Sequence, residues 1–421
     1  MTQIECAKLG RLTKQMQHTA QQEDMDPALL RDNIARGLIV VLANKNHKNL
    51  KPVAVGKKMA VKVNANIGAS PVELDSEKEL KKLSAAIEAG ADTIMDLTIA
   101  NDATVINSMR KTIINNCRLP LGTVPIYQAA IEVGAAADMT MESYLKVFRQ
   151  HAKDGIDFTT IHAGVTRGSI KLLERRLMPV VSRGGSFILQ WMAKNNKESF
   201  LYKHYDRILE VAKEYDVTIS LGDGLRPGCL ADATDKAQIY ELRILGELVQ
   251  RARESGVQVM VEGPGHIPLN ETEENVRLEK EICQGAPFYV LGPLPIDTAA
   301  GYDHIACSIG GALAAYLGAD FLCYVTAKEH IGLPDIKDVR QGVIVTKIAA
   351  SVADVARGNQ QAILNSKHMS EARKNFDWNK MQKYALDPSY FEELVAMKPR
   401  LSKGGCSMCG DEFFALKFHT D

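Results

Sequence analysis

The sequence predicts an α/β protein built on a closed (β/α)8 TIM-type barrel. Three observations carry that reading. Short apolar runs alternate with helical patterns from residue 61 to about residue 325, and this alternation specifies a parallel sheet. Polar residues finish nearly every run, as expected where a barrel carries a site on one rim. No Gly-x-Gly-x-x-Gly turn follows the first run, so a doubly wound dinucleotide fold lacks its signature.

Taken in order, residues 1–60 read as a small N-terminal arm or domain. Asp26 can cap a helix that Pro27 begins, and Leu38 to Leu42 reads as a strand. The barrel is expected over 61–337. Its strand candidates are Val61–Asn66, Thr93–Leu97, Leu121–Tyr127, Phe158–His162, Val180–Gly185, Val217–Leu221, Val257–Val261, Phe288–Leu291 and Phe321–Val325. Nine candidates compete for eight places, so one is surplus or belongs to the N-terminal arm. Helical spacing falls near 77–89, 102–114, 141–153, 199–214, 234–254, 272–283 and 304–317. Beyond 338 the pattern is helical, at about 338–357, 368–385 and 389–397, giving a C-terminal helical segment over 338–398. A flexible tail, 399–421, contains Cys406-Ser407-Met408-Cys409.

Composition narrows the function classes. Lys+Arg and Asp+Glu both number 51 in 421 residues. A net charge of zero gives no argument for nucleic acid or a membrane surface. No apolar run approaches the roughly 20 residues a membrane helix needs. The start, Met-Thr-Gln-Ile-Glu-Cys, lacks the basic and apolar parts of a signal peptide. The cysteines outside the tail sit in apolar or small-residue contexts, as cytosolic thiols do. A cytoplasmic location is expected.

The chemistry concentrates at strand ends. Val257-Gln258-Val259-Met260-Val261 stops at Glu262, and Gly263-Pro264-Gly265 turns the chain into His266. Taken alone, this is a tight turn with a histidine that caps a helix. A second histidine, His330, follows another strand end. Two imidazoles beside a carboxylate suit a divalent transition metal with open positions. The remaining strand ends collect Asn66, Met95, Tyr127, His162, Ser182, Arg183, Gly184, Asp223, Gly224, Leu225, Arg226 and Tyr289. Ser-Arg-Gly-Gly can wrap a phosphate with a hydroxyl, a guanidinium and backbone N–H groups. Asp-Gly-Leu-Arg offers an arginine beside an acceptor for ribose hydroxyls or a ring amine. Each motif alone is a cap or an ion pair; their meeting on one rim weakens that plainer explanation. In the tail, Cys406 and Cys409 look like part of an iron–sulfur or zinc site, although two thiolates complete neither. A redox-labile pair is the alternative.

Several motifs are long and specific. They are Asn64-Ala65-Asn66-Ile67-Gly68, Gly122 to Gln128, Ser182 to Ser186, Gly222 to Gly228, Glu262 to His266, Gly301-Tyr302-Asp303-His304-Ile305 and Cys406 to Gly410. The chain resembles the phosphomethylpyrimidine synthase (ThiC) family from about residue 2 to the tail. The resemblance implies a barrel and a radical S-adenosylmethionine (SAM) lyase acting on 5-aminoimidazole ribotide. It implies that Asn66, Met95, Tyr127, His162, Ser182, Arg183, Gly184, Asp223, Gly224, Leu225, Arg226, Glu262 and Tyr289 line the substrate site. His266 and His330 would bind one divalent metal, zinc or iron. Cys406 and Cys409 would be ligands of a [4Fe–4S] cluster fed by an electron donor, and the family's tail is thought to enter the partner subunit of a dimer.

Departures from the family pattern shape the expectation. A Cys-x2-Cys-x4-Cys cluster motif would place its third cysteine at 414, where this chain has Phe414. The stretches Asp96–Asp102, Pro293–Asp297 and Ala306–Ser308 also differ. They point to a paralogous branch resembling the 5-hydroxybenzimidazole synthases (Bza proteins) of anaerobic cobamide (B12) synthesis, working with a related chain as a heterodimer. Two other readings stand beside it. One is phosphomethylpyrimidine synthase of thiamin synthesis. The other is a non-catalytic partner that keeps the ribotide pocket.

Overall fold

The computed structural model describes residues 1–397 and 407–408. It divides into one compact unit, Met1–Ala353, and a second that begins at Asp354. The strands are β1 (Ile39–Leu42), β2 (Val53–Gly56), β3 (Lys62–Ile67), β4 (Thr93–Asp96), β5 (Leu121–Thr123), β6 (Phe158–Ile161), β7 (Thr218–Leu221), β8 (Val259–Gly263), β9 (Phe288–Leu291) and β10 (Phe321–Cys323). Strands β3 to β10 are all parallel and close into an eight-stranded barrel, β10 pairing back to β3. The expected barrel is therefore observed. Strands β1 and β2 form a separate antiparallel pair.

The helices are α1 (Gln3–Lys8), α2 (Lys14–Gln22), α3 (Pro27–Ala35), α4 (Ser76–Glu88), α5 (Ala103–Asn116), α6 (Pro125–Val133), α7 (Met141–Asp154), α8 (Arg183–Asn195), α9 (Phe200–Lys203), α10 (Tyr205–Tyr215), α11 (Lys236–Glu254), α12 (Thr272–Ile282), α13 (Asp303–Leu317), α14 (Ile336–Ala356), α15 (Gln360–Lys374), α16 (Trp378–Tyr384) and α17 (Pro388–Met397). Asp26 caps α3 by accepting from Leu29 N–H, as its position before Pro27 predicts.

Four local expectations need correction. The stretch 368–385 is not one helix: α15 ends at Lys374 and α16 begins at Trp378, with Phe376 between them at φ 54°. The surplus strand candidate is Val180–Gly185: it opens α8, with Ser182 as cap, because β6 pairs directly with β7. The run Leu121–Tyr127 stops as a strand at Thr123, and Pro125 starts α6. The long helix over 199–214 is two, broken at His204, whose backbone leaves helical geometry (φ −115°, ψ 29°).

A buried hinge of polar contacts fixes the N-terminal arm to the barrel. Asp157, just before β6, accepts from the Asn44 N–H (2.9 Å), the Leu121 N–H (2.8 Å) and the His47 ring (2.7 Å). Burial works against a charge on His47, but the Asp157 carboxylate outweighs it and raises the imidazole pKa. Phe158, Tyr289 and Phe321 stack across the barrel interior, the last two with ring centroids 4.2 Å apart, and they form the floor on which the site sits.

Candidate functional site

A cavity of about 180 Å³ opens at the carboxyl ends of the barrel strands, where the loops of this architecture place their chemistry. Asn66 comes from β3, Met95 from β4, Glu262 from β8 and Tyr289 from β9. Tyr127 lies in the first turn of α6, His162 directly follows β6, and Asp223 and Arg226 come from the loop after β7. The topology thus brings these eight expected residues to one cavity.

Strand alternation supports them from below. Inward Thr160 and Ser220 donate hydroxyl hydrogen bonds of 2.7 and 2.6 Å to the same oxygen of Glu262. Asn64, two residues before Asn66, donates to the Tyr289 hydroxyl and to Asn66 Oδ1, each at 2.8 Å, and accepts from Thr93. The polar layer is therefore tied together before any ligand arrives, and such a network fixes side-chain orientation.

Burial sets the protonation states. It raises the Glu262 pKa, with the two hydroxyls acting in the opposite sense. Burial raises the Asp223 pKa, and Arg226, whose Nη1 lies 3.3 Å from Asp223 Oδ1, acts in the opposite sense. His162 is driven down to about 3 by burial and then by the Arg226 charge, so its ring is neutral at physiological pH. Burial also lifts the Tyr127 and Tyr289 phenols. The walls thus set a neutral imidazole and two carboxyl groups of raised pKa around the Arg226 guanidinium.

Ser182, Arg183, Gly184, Gly224 and Leu225 do not line this cavity. They build the wall behind His162. Ser182 caps α8 by accepting from Gly185 N–H at 3.2 Å. The other first-turn amides of a helix lack intrahelical partners and favour anions. The Arg183 guanidinium carbon sits 5.3 Å from the Tyr127 ring centroid, which places a positive charge beside the cavity mouth. A side chain at Gly184 would overlap the His162 ring, and one at Gly185 would overlap the Gly224 backbone. Glycine here lets the helix start approach both. Leu225 points into the core, and its backbone is clamped: Arg176 Nη2 donates to its carbonyl and its own N–H donates to Glu241, both at 2.7 Å.

His266 and His330 stand together at the side of the cavity that Gly263 and Glu329 line. Their ring centroids are 5.3 Å apart. Each Nδ1 meets a carboxylate: Asp297 Oδ1 at 2.8 Å for His266, and Asp303 Oδ1 at 3.2 Å for His330. A Nδ1–H donated to a carboxylate leaves Nε2 with its lone pair, the arrangement of a metal-binding histidine. No cluster of three or more metal-type side chains occurs among the described residues. The donor set therefore fits a two-imidazole site with open positions, not a closed structural one.

Some site residues lie beyond the motif pattern. Asp297 and Asp303 act through histidines 31 and 27 residues away, a pairing no local pattern records. Cys323 and Glu329 also line the cavity; inward alternation on β10 marks Cys323, and adjacency to His330 marks Glu329. Cys406 and Cys409 lie outside the described residues.

Comparison with known proteins defines the class. Residues 2–421 match the Radical SAM ThiC family. The chain is 52% identical over 427 residues to the phosphomethylpyrimidine synthase of Caldanaerobacter subterraneus subsp. tengcongensis, covering 100% of this chain and 98% of that one. It is 50% identical to the phosphomethylpyrimidine synthase of Methanocaldococcus jannaschii, covering 98% and 97%. The relative from Dehalococcoides mccartyi, of the same name, is 52% identical over 98% of this chain and 96% of its own. The chain belongs to the radical SAM ThiC family, enzymes that use SAM and an iron–sulfur cluster. Among the described residues no helix is long and apolar enough to cross a membrane.

Proposed function

We propose that the chain is a phosphomethylpyrimidine synthase of thiamin synthesis that rearranges 5-aminoimidazole ribotide. The observation that carries this is end-to-end similarity, near 50% identity, to several proteins of that name. Those relatives favour the pyrimidine product over the benzimidazole product that the sequence departures had suggested. In this reading Arg183 and the α8 amides take the ribotide phosphate. Asn66, neutral His162 and Asp223 hold ring and ribose polar atoms, and Tyr127 and Met95 cover the apolar face. Glu262, held by two hydroxyls and with its pKa raised by burial, serves as a proton acceptor at the ribose. His266 and His330 would hold one divalent metal, zinc or iron, which would supply a Lewis-acid site for SAM.

The cluster ligands do not fit as they stand. Cys406 and Cys409 supply two thiolates, and position 414 is Phe. Three are needed if one iron is to remain free for SAM. We propose that a related chain completes this function in a dimer. The exposed apolar stripe Tyr302, Ile305, Ile309 and Tyr316 along α13 supports a partner-facing surface. Anaerobic turnover of ribotide with SAM and a reductant, alone and with a complete paralogue, tests both statements. Hydroxymethylpyrimidine phosphate in the mixed sample is expected. A benzimidazole product would overturn the first statement. Full activity of the isolated chain, lost in Cys406→Ala, would overturn the second.

A further inference from the structure

Behind the β7–β8 wall of the cavity lies a second void, of about 20 Å³. Asp223, Arg226, Glu241, Glu262 and Glu279 line it. Glu241, in the second turn of α11, belongs to none of the motifs above. Its side chain is almost wholly buried (2% exposed). One oxygen, Oε2, accepts the Leu225 N–H at 2.7 Å. The other, Oε1, has no hydrogen-bond partner among the described residues, and neither has Asp223 Oδ2. A void of this size holds one water, given polar partners. Two ionised carboxylates cannot both face it at neutral pH: like charges in a low-dielectric site force one group to keep its proton. Asp223 has Arg226 at 3.3 Å to offset its charge. Glu241 meets backbone amides at Leu225 and Gly224, and Arg176 acts on it only at longer range, with no ion pair to Glu241 among the described residues; the proton therefore belongs on Glu241.

We propose that Glu241 is a positioning residue that works as a neutral acid: Oε2 holds the Leu225 N–H, and Oε1–H donates, through a water in the void, to Asp223. The two contacts shape the Asp223–Arg226 loop from behind, while Arg176, paired with Asp235 at 2.7 Å, grips the Leu225 carbonyl from the other side. This rests on the ribotide-site reading for its consequence, though not for its geometry.

The charged groups facing Glu241 are Asp223 and Arg226 from the loop after β7, Glu262 from β8, Glu279 from α12 and Arg176 from the segment after β6. Burial first, and then the Asp223 charge, raises its pKa to about 8. Below that pH Glu241 is a donor. Above it, Glu241 becomes a third anion beside Asp223 and Glu262 and loses its donor. Ribotide affinity therefore falls as pH rises through about 8. The unfolded chain ionises this group near pH 4.3, so the folded state holds the extra proton between the two values. Stability supplied by other groups is eroded as pH rises through that window.

Glu241→Gln keeps the shape, an acceptor and a donor, but cannot titrate; Glu241→Leu removes both contacts. Three measurements decide the matter. Infrared difference spectra at neutral pH should show a protonated carboxylic acid in the wild type that Glu241→Gln lacks. The melting temperature of Glu241→Gln relative to wild type should rise from pH 5 to pH 8.5. Calorimetric titration with ribotide should lose affinity in the wild type between neutrality and about pH 9, toward the limit of about tenfold per pH unit that one obligatory proton sets. Glu241→Gln should be flat over that range, and Glu241→Leu weak throughout. An unchanged acid band in Glu241→Gln, or the same alkaline loss in Glu241→Gln as in wild type, overturns the proposal. If the band and the melting shift follow Glu241 while wild type binds no ribotide at any pH, the acid assignment stands and the ribotide reading fails.

Discussion

The two sides of the cavity are built on opposite plans. On the β6–β8 side, His162, Asp223 and Glu262 are buried or half-buried, and are tied to hydroxyls, a guanidinium and glycine-packed backbone. Burial there decides protonation: the carboxyl pKa values rise and the imidazole falls. On the His266–His330 side the His330 side chain is 45% exposed, and the order comes from two carboxylates that each hold one ring nitrogen. The first side is preset for a ligand of one shape. The second presents two imidazoles, each with one nitrogen held by a carboxylate, and is the side proposed for the divalent ion. A binding site spends its rigidity where a neutral, shaped ligand must be recognised, and leaves open coordination where a cation supplies the organising charge.

The contrast is broken most severely by removing the imidazoles. His266→Ala with His330→Ala should abolish stoichiometric divalent metal, read by elemental analysis after dialysis, while leaving ribotide binding by calorimetry unchanged. Retained metal in the double variant would remove the distinction between the two sides. Next in size is Arg183→Ala. It deletes the guanidinium beside Tyr127 and should weaken ribotide binding by about 1.5–3 kcal/mol, the value of a charge-assisted contact; metal content should not move. Gly184→Ala follows. Its new methyl overlaps the His162 ring, and overpacking of this kind costs about 1–3 kcal/mol of stability by denaturant unfolding. The same methyl group in the open corner, as Gly332→Ala, meets nothing within 4 Å and should cost much less.

How much of this was legible in the sequence follows the same divide. Strand ends announce themselves, because an apolar run that stops at a polar residue is a local pattern; Asn66, His162 and Glu262 were visible that way, Met95 and Tyr289 came with the family resemblance, and all five share one cavity. The barrel followed from repetition of that pattern. What hid were relations. Val180–Gly185 reads as a strand until one sees that β6 and β7 are already partners, leaving Ser182 free to cap α8. Tyr127 reads as a strand end, yet Pro125 turns it into a helix start that aims the ring at the same cavity. Asp297, Asp303 and Glu241 act only through another residue's nitrogen, at separations of 31, 27 and 16 residues. Periodicity carries no record of such pairs. The tail shows the reverse case. Phe414 at the third thiolate position is plain in the sequence, and its consequence rests on the reconstitution experiment with Phe414→Cys, which should raise iron and sulfide content of the isolated chain.

The last test asks whether the open corner is organised at all. Asp297 and Asp303 perform one task under different exposure. The Asp303 side chain is 3% exposed, at the start of α13, whereas that of Asp297 is 40% exposed and also accepts the Leu230 N–H at 2.9 Å. Replacing either by Asn leaves an amide oxygen to accept the Nδ1–H but removes the negative charge behind the ring. Outer carboxylates of this type are worth about 10–100-fold in metal affinity. Water reaches Asp297 and already screens its charge, so Asp297→Asn belongs at about the tenfold end of that range. Asp303→Asn, in its buried setting, belongs nearer the hundredfold end. Competition titration with a chromophoric chelator measures both in one experiment. Equal losses would mean that the carboxylates serve only as hydrogen-bond acceptors and that burial is irrelevant to them. No loss in either would mean that the rings are held by the chain itself, and the open side would then be as preset as the buried one.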